Sequence, residues 1–436
     1  MAKLSIRRPV SSRRSPPSAH LKQITAITIL LAAVLFVGGC EKPPKPKPPT
    51  PAAGSKTNIE TLPSVTARAW HIGGDSLQAS QQAAGNLKIA VKRLLDNPDQ
   101  DTLVAAREAW HATHNQYQSF AVFLTLAQSN PGLFGALRNL SSPLDTWPIE
   151  PGYLDYFGIY AHSGIVNDIA VPLTAKALRQ QHGFSDSADV SLGLHAIAYL
   201  LWGEKGERPV TDFIKKNKLE PTQASTGLRV IDLPNNRRRT LLALMCNLLS
   251  DDLQQIRRAW NQKGPGSLQQ NYLALTPLSR LHLLRVAAVE FIAGDLLARN
   301  LISLLKPALD TAHNRFAGGN ADVFTAGLGG LETLLLNPEE PETAIINWLL
   351  GDAEKEQIKH HFATANQLLN VEPLADFESA TLKHLPEGST HGEGETPQSP
   401  ASPTPQTQPV DKGELLRATL NAIAEMLRSK DGISSG

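Results

Sequence analysis

The chain has 436 residues, with 42 Lys+Arg against 41 Asp+Glu for a formal charge of +1, 41% hydrophobic residues and two cysteines. That length allows a sizeable buried core, while the balanced charge argues against a nucleic-acid binder, whose surface carries clustered basic groups. Two cysteines are too few for a cysteine-based metal site within one chain.

Lys3, Arg7, Arg8, Arg13, Arg14 and Lys22 form a basic leader without acidic residues. An apolar run over 24–37 follows and ends in Val37-Gly38-Gly39-Cys40. The run is shorter than the ~20 apolar residues of a membrane span and has the length of a signal-peptide core. Residues 1–39 are therefore expected to be a lipoprotein signal peptide, with cleavage before Cys40 and lipidation of its thiol. The small residues ahead of Cys40 resemble a bacterial lipobox. An uncleaved anchor with an incidental cysteine is the alternative. Glu41 at the next position, by resemblance to Gram-negative lipoproteins, implies the outer membrane, facing the periplasm. Removing the six basic residues of 1–39 leaves 36 basic against 41 acidic residues, a formal charge of −5. With Cys40 lipidated, Cys246 has no partner thiol, and its apolar surroundings suit a small buried hydrophobe.

Residues 40–57 read as a spacer, with six prolines between Pro43 and Pro51 interleaved with Lys45 and Lys47. Such a segment prefers the extended polyproline conformation. From 58 to 384 the pattern is helical. Leu103, Ala106, Trp110 and Tyr117 share one stripe, Leu241, Leu244, Leu248 and Leu253 another, and Leu278, Leu281, Leu284, Val286, Val289 and Ile292 a third. An all-α fold of two packed four-helix-type bundles is expected, divided near the irregular 203–233. Residues 385–411, rich in Pro, Ser and Thr, are expected to be a disordered linker. A last amphipathic helix over 412–430, with Leu416, Leu420, Ile423 and Leu427 on one face, is expected to dock on the second half.

Within 191–203, His195 is the one basic residue of an apolar helix, placed after Gly193 and before Trp202-Gly203. A buried polar group without a partner costs about 1–3 kcal/mol, so the imidazole needs a partner or a ligand. Helical spacing puts Ala198, Tyr199 and Trp202 on its side. His111 and His114 stand at i and i+3, so both imidazoles can reach one ion. His360 and His361 face different ways and make poor joint ligands. The loop-rich 128–162 concentrates Trp147, Tyr153 and Asp155, as segments lining a site do. Arg208 and Asp212 can pair across one turn. His313, Asn314, Arg315 and Asp322 gather around Gly318-Gly319, which can open a helix as an ordinary turn or an anion-binding one.

Thr146-Trp147-Pro148-Ile149, the Gly193-Leu194-His195 segment, Leu200-Leu201-Trp202-Gly203, Gly206-Glu207-Arg208-Pro209 with Asp212-Phe213, and Phe291 to Arg299 resemble, in order and spacing, the imelysin-like family. The resemblance implies an all-helical two-bundle fold with the histidine motif near the junction. It implies a bacterial envelope protein of metal acquisition, iron foremost, binding an ion or small ligand between the bundles. The family motif is Gly-X-His-X-X-Glu, and Ala198 stands where its glutamate would be. The metal candidates are thus His195, His114 and His111, for an iron or zinc ion, with Glu150, Asp155 or Asp212 as replacement carboxylates. The pocket candidates are Trp147, Tyr153, Asp155, Tyr199, Trp202, Arg208 and Asp212. No catalytic residue is expected: the chain has neither His-Glu-X-X-His nor Gly-X-Ser-X-Gly. The alternatives are a docking module for an envelope transport partner, with no metal, and then the metallopeptidase activity ascribed to some members.

Overall fold

The computed structural model describes residues 62–225, 227–306, 312–370 and 411–429. The expected signal peptide, Cys40, the spacer and nearly all of the 385–411 linker lie outside the described residues. Among the described residues there is no strand, and the fold is all-α. A single isolated bridge joins Phe157 and Tyr160.

Helices α1 (Leu62–Asp96) and α2 (Gln100–Leu124) form a hairpin. Asp99 caps α2: its carboxylate accepts from Thr102 N at 2.8 Å, and the Thr102 hydroxyl accepts from Asp99 N at 3.2 Å. That reciprocal pair satisfies amides the helix cannot. Next come α3 (Pro131–Ser141), α4 (Gly193–Trp202) and α5 (Pro234–Asn261), each of the last two after a long irregular stretch. Helix α6 (Pro277–Phe291) runs without a break into a π-helical segment, Ile292–Leu301. The periodicity of 278–292 predicts regular turns, and α6 has them; the wide turns begin where that stripe ends, at Ile292, and such turns gather at functional sites. Helices α7 (Asn320–Leu336), α8 (Asp352–Asn370) and α9 (Lys412–Arg428) complete the chain.

One group packs α1, α2, α4 and α5 together with α3. The other packs α6, the π-helical segment, α7, α8 and α9, and α2 lies against α7 where the groups meet. Helix α5 therefore sits with α1 and α4, so the irregular 203–233 links two members of one group. Helix α9 lies on α8, α6 and the π-helical segment, and Arg285 donates to Leu427 O at 2.8 Å at its end.

A single apolar cluster runs through both groups. Trp260 stacks on Trp70 with ring centroids 3.9 Å apart and donates to Trp70 O at 3.1 Å, tying α5 to α1. Trp110, fully buried, donates to Leu194 O at 2.8 Å and so ties α2 to α4. Cys246 is free and buried, and burial pushes its thiol up to about 12. No described helix is long and apolar enough to cross a membrane.

Gly330 and Gly193 permit backbone contacts that bear on the site. At Gly330 on α7, a Cβ would stand 2.2 Å from Ser119 O on α2. Gly193 has φ +85°, and a Cβ there would stand 2.2 Å from Pro143 O and 2.6 Å from Leu144 O. The 143–145 loop thus rests directly on the first turn of α4, and Leu194 N donates to Leu144 O at 2.8 Å. Gly193→Ala combines left-handed strain with a backbone clash, for an expected loss of ~2–4 kcal/mol. The urea unfolding midpoint measures it; a loss under ~1 kcal/mol, as for an ordinary surface change, would show that the loop has slack.

Candidate metal centre

The loop that Gly193 admits carries Asp145. Its carboxylate meets three imidazoles from three other parts of the chain: His114 of α2, His195 of α4 and His313 of the turn before α7. Asp145 Oδ1 lies 2.8 Å from His195 Nε2, 3.4 Å from His114 Nε2 and 3.5 Å from His313 Nε2. His195 Nε2 and His313 Nε2 are 3.0 Å apart. All three histidines are at most 2% exposed, and the Asp145 side chain is 6% exposed. Asp145 Oδ1 is buried and accepts no aligned hydrogen bond. Asp145 Oδ2, by contrast, accepts from Gln118 Nε2 at 3.0 Å and from Arg299 of the π-helical segment.

Those separations fit a metal. Bonds of ~2.1 Å place neighbouring donor atoms roughly 3.0 Å apart at right angles and roughly 3.4 Å apart in a tetrahedron. Three imidazoles and one carboxylate form a donor set for zinc or ferrous iron. Burial alone would raise the Asp145 carboxyl, but Arg299, then His313, hold it well below the usual carboxylate range. Burial pushes His195 down to about 4 against the pull of Asp145, and pushes His313 well down, with Arg299 adding to the effect. Both imidazoles are therefore neutral near pH 7, the form that ligates.

Of the metal candidates from sequence, His195 and His114 converge here and His111 does not. The His111 ring sits edge-on to Trp202, with centroids 5.2 Å apart, and a Cβ on Gly319 would reach within 3.0 Å of it. Asp145 supplies the carboxylate in place of Glu150, Asp155 and Asp212. Ala198 lies in the core, 2% exposed. His313, expected beside a glycine turn, belongs to the cluster, held by Ser303, whose hydroxyl accepts from His313 N at 2.7 Å.

Of the pocket candidates, Trp147 covers the cluster, its ring centroid 4.9 Å from that of His195. The Trp147–Pro148 peptide is cis. The others have separate partners. Asp155 is fully buried between Arg208, 2.9 Å away, and Arg238. Arg208 also reaches Asp212 at 2.9 Å, so the expected pair forms, but inside a buried network. Tyr199 donates to Tyr156 O at 2.6 Å, and Tyr153 to Gln181 O at 2.6 Å. Trp202 packs under Arg107, which donates to Leu201 O at 3.0 Å and closes the end of α4.

Residues 74–386 match the family model Peptidase_M75, Imelysin. The chain belongs to the imelysin family. No curated protein matches it. Among solved structures, an iron-regulated protein A precursor from Parabacteroides distasonis aligns with a TM-score of 0.54 at 11% identity, over 87% of this chain and 97% of that one. An imelysin-like protein from Psychrobacter arcticum aligns with a TM-score of 0.51 at 14% identity, over 86% and 95%. At such identities the likeness is one of fold.

The buried histidines set a pH dependence. Below about pH 6.5 the unfolded chain takes up a proton that His195 refuses until about pH 4. The unfolded state then binds more protons, so stability falls as pH drops through that window, by up to ~1.4 kcal/mol per pH unit for each such histidine. His313 acts in the same direction. Urea unfolding at pH 7, 6 and 5 is expected to show the decline, and His195→Gln to make it shallower. A flat profile would mean that the native imidazoles take up protons just as they do in the unfolded chain.

Proposed function

We propose that this imelysin-family chain is a periplasm-facing lipoprotein, anchored through Cys40 in the outer membrane, that captures an iron or zinc ion at His114, Asp145, His195 and His313 during metal acquisition. The observation that carries this is Asp145 Oδ1, buried without an aligned hydrogen bond and 2.8–3.5 Å from three imidazole nitrogens. A carboxylate oxygen left this way costs free energy unless something cationic sits among the donors. The iron-regulated protein A precursor that shares this fold lends the reading an iron-linked neighbour.

Capture is favoured over hydrolysis despite the peptidase in the family's name. A hydrolytic zinc site keeps an open water position and commonly a base beside it. Here the carboxylate among the imidazoles is itself a donor, and the Arg299 guanidinium stands beside it.

Calorimetric titration of the purified chain with ferrous and zinc ions tests the assignment. Binding is expected in the parent and in His111→Ala, with a loss of at least tenfold in His195→Ala and His114→Ala, as removal of a protein ligand implies. No binding in the parent would sink the ion and leave a lipid-anchored docking module for a transport partner. Cys40→Ala is expected to move the protein from the membrane fraction to the soluble one. An unchanged distribution would mean that the leader itself is the anchor.

A further inference from the structure

Arg299 separates the cluster from open space. Its guanidinium donates to Asp145 Oδ2 and to His313 Nε2, and stands 3.5 Å from Asp295 one turn back. A nitrogen lone pair that accepts from arginine is not available to a cation. Uptake of an ion through His313 therefore turns this guanidinium away from it.

The space beside it is polar. A cavity of about 210 Å³ is lined by Tyr117, Arg138, Ser141, Asp145, Asp295 and Arg299. Tyr117 is 4% exposed, and its hydroxyl makes no hydrogen bond to a described residue, so it offers the cavity a free donor. Arg138 stands at the rim. A second, larger cavity of about 490 Å³, also bounded by Asp145 and Arg299, is lined by Thr146, Trp147, Ala298, Ile302 and Ser303 and offers fewer donors.

Charge decides what the first cavity takes. Asp145 and Asp295 against Arg299 and the exposed Arg138 leave the lining formally neutral. A divalent cation adds two positive charges, and an unbalanced charge is costly to bury. Burial also raises the Asp295 carboxyl, which weakens it as the balancing group.

We infer that this cavity is the subsite of a small carboxylate or bicarbonate anion, bound with the cation and held by Arg299, Arg138 and the Tyr117 hydroxyl. The inference rests on the metal assignment of the His114, Asp145, His195 and His313 cluster. The anion satisfies the guanidinium that the cation displaces and offsets part of the charge that the cation brings. Cation and anion thereby strengthen each other's binding, since coupling between two ligands is reciprocal.

The test is calorimetric titration of the full chain with zinc at matched free-ion activity, in chloride alone and with formate, acetate or bicarbonate. At least one of these anions is expected to tighten zinc binding about tenfold, within the usual range for coupled ligands. The gain is expected to vanish in Arg299→Gln and to shrink in Arg138→Gln and Tyr117→Phe, which leave the zinc donors in place. Zinc bound equally with and without every anion would overturn the subsite and spare the metal assignment. A gain undiminished in all three variants would also overturn it, by placing the anion elsewhere. Absence of zinc binding under all conditions would overturn both.

Discussion

Asp145 is the one side chain on which the rest of the centre depends. Its carboxylate is buried, and burying a charge is tolerated only when opposite charge or donors surround it. Arg299 supplies the charge and Gln118 a hydrogen bond, both on one oxygen. The other oxygen faces three imidazoles. Its five partners lie on four elements, so the carboxylate holds α2, α4, the π-helical segment and the turn before α7 to one point. The two helix groups meet there. Packing brings them together through Gly330 on Ser119, and polar contacts around Asp145 fix their register.

A second buried carboxylate shows the contrast. Asp155 is enclosed by Arg208 and Arg238, with Asp212 and Tyr156 completing the network. Every one of these groups has a charged or hydrogen-bonded neighbour of its own. Breaking such a network by removing one member is strongly destabilising, and both Asp155 oxygens are already engaged, leaving neither for a ligand. It fixes the 151–168 loop and the 203–213 turn against α5. Two carboxylates of similar burial thus play different parts, according to whether their second oxygen is satisfied.

The helices were legible in the sequence because apolar periodicity reports burial directly. His195 was legible because a lone imidazole on an apolar face demands a partner, and His114 because of its spacing. His111, with the same spacing, turns to Trp202 instead, since i and i+3 share a side of a helix without sharing a neighbour. Asp145 was not legible. Helical spacing leads from His195 to the position of Ala198, whereas the carboxylate arrives across space from two residues before Trp147-Pro148. Its signal was Gly193, whose missing side chain marks a backbone contact but does not name the partner. His313 and Arg299 lie more than a hundred residues from His195, beyond any local pattern. The wide turns of Ile292–Leu301 lie past the 278–292 stripe, where no apolar periodicity reports on them.

The seating of the 143–145 loop on Gly193 also bears on how this chain can change over generations. Surface loops ordinarily accept insertions and deletions. This one is held by main-chain atoms, with Leu194 N on Leu144 O and no room for a Cβ between them. The residue after that contact is Asp145. Replacing a neighbouring side chain such as Thr146 leaves the spacing untouched, but one added or lost residue shifts the carboxylate by ~3.8 Å, more than any of its contacts can follow. In this loop, length is inherited more strictly than composition.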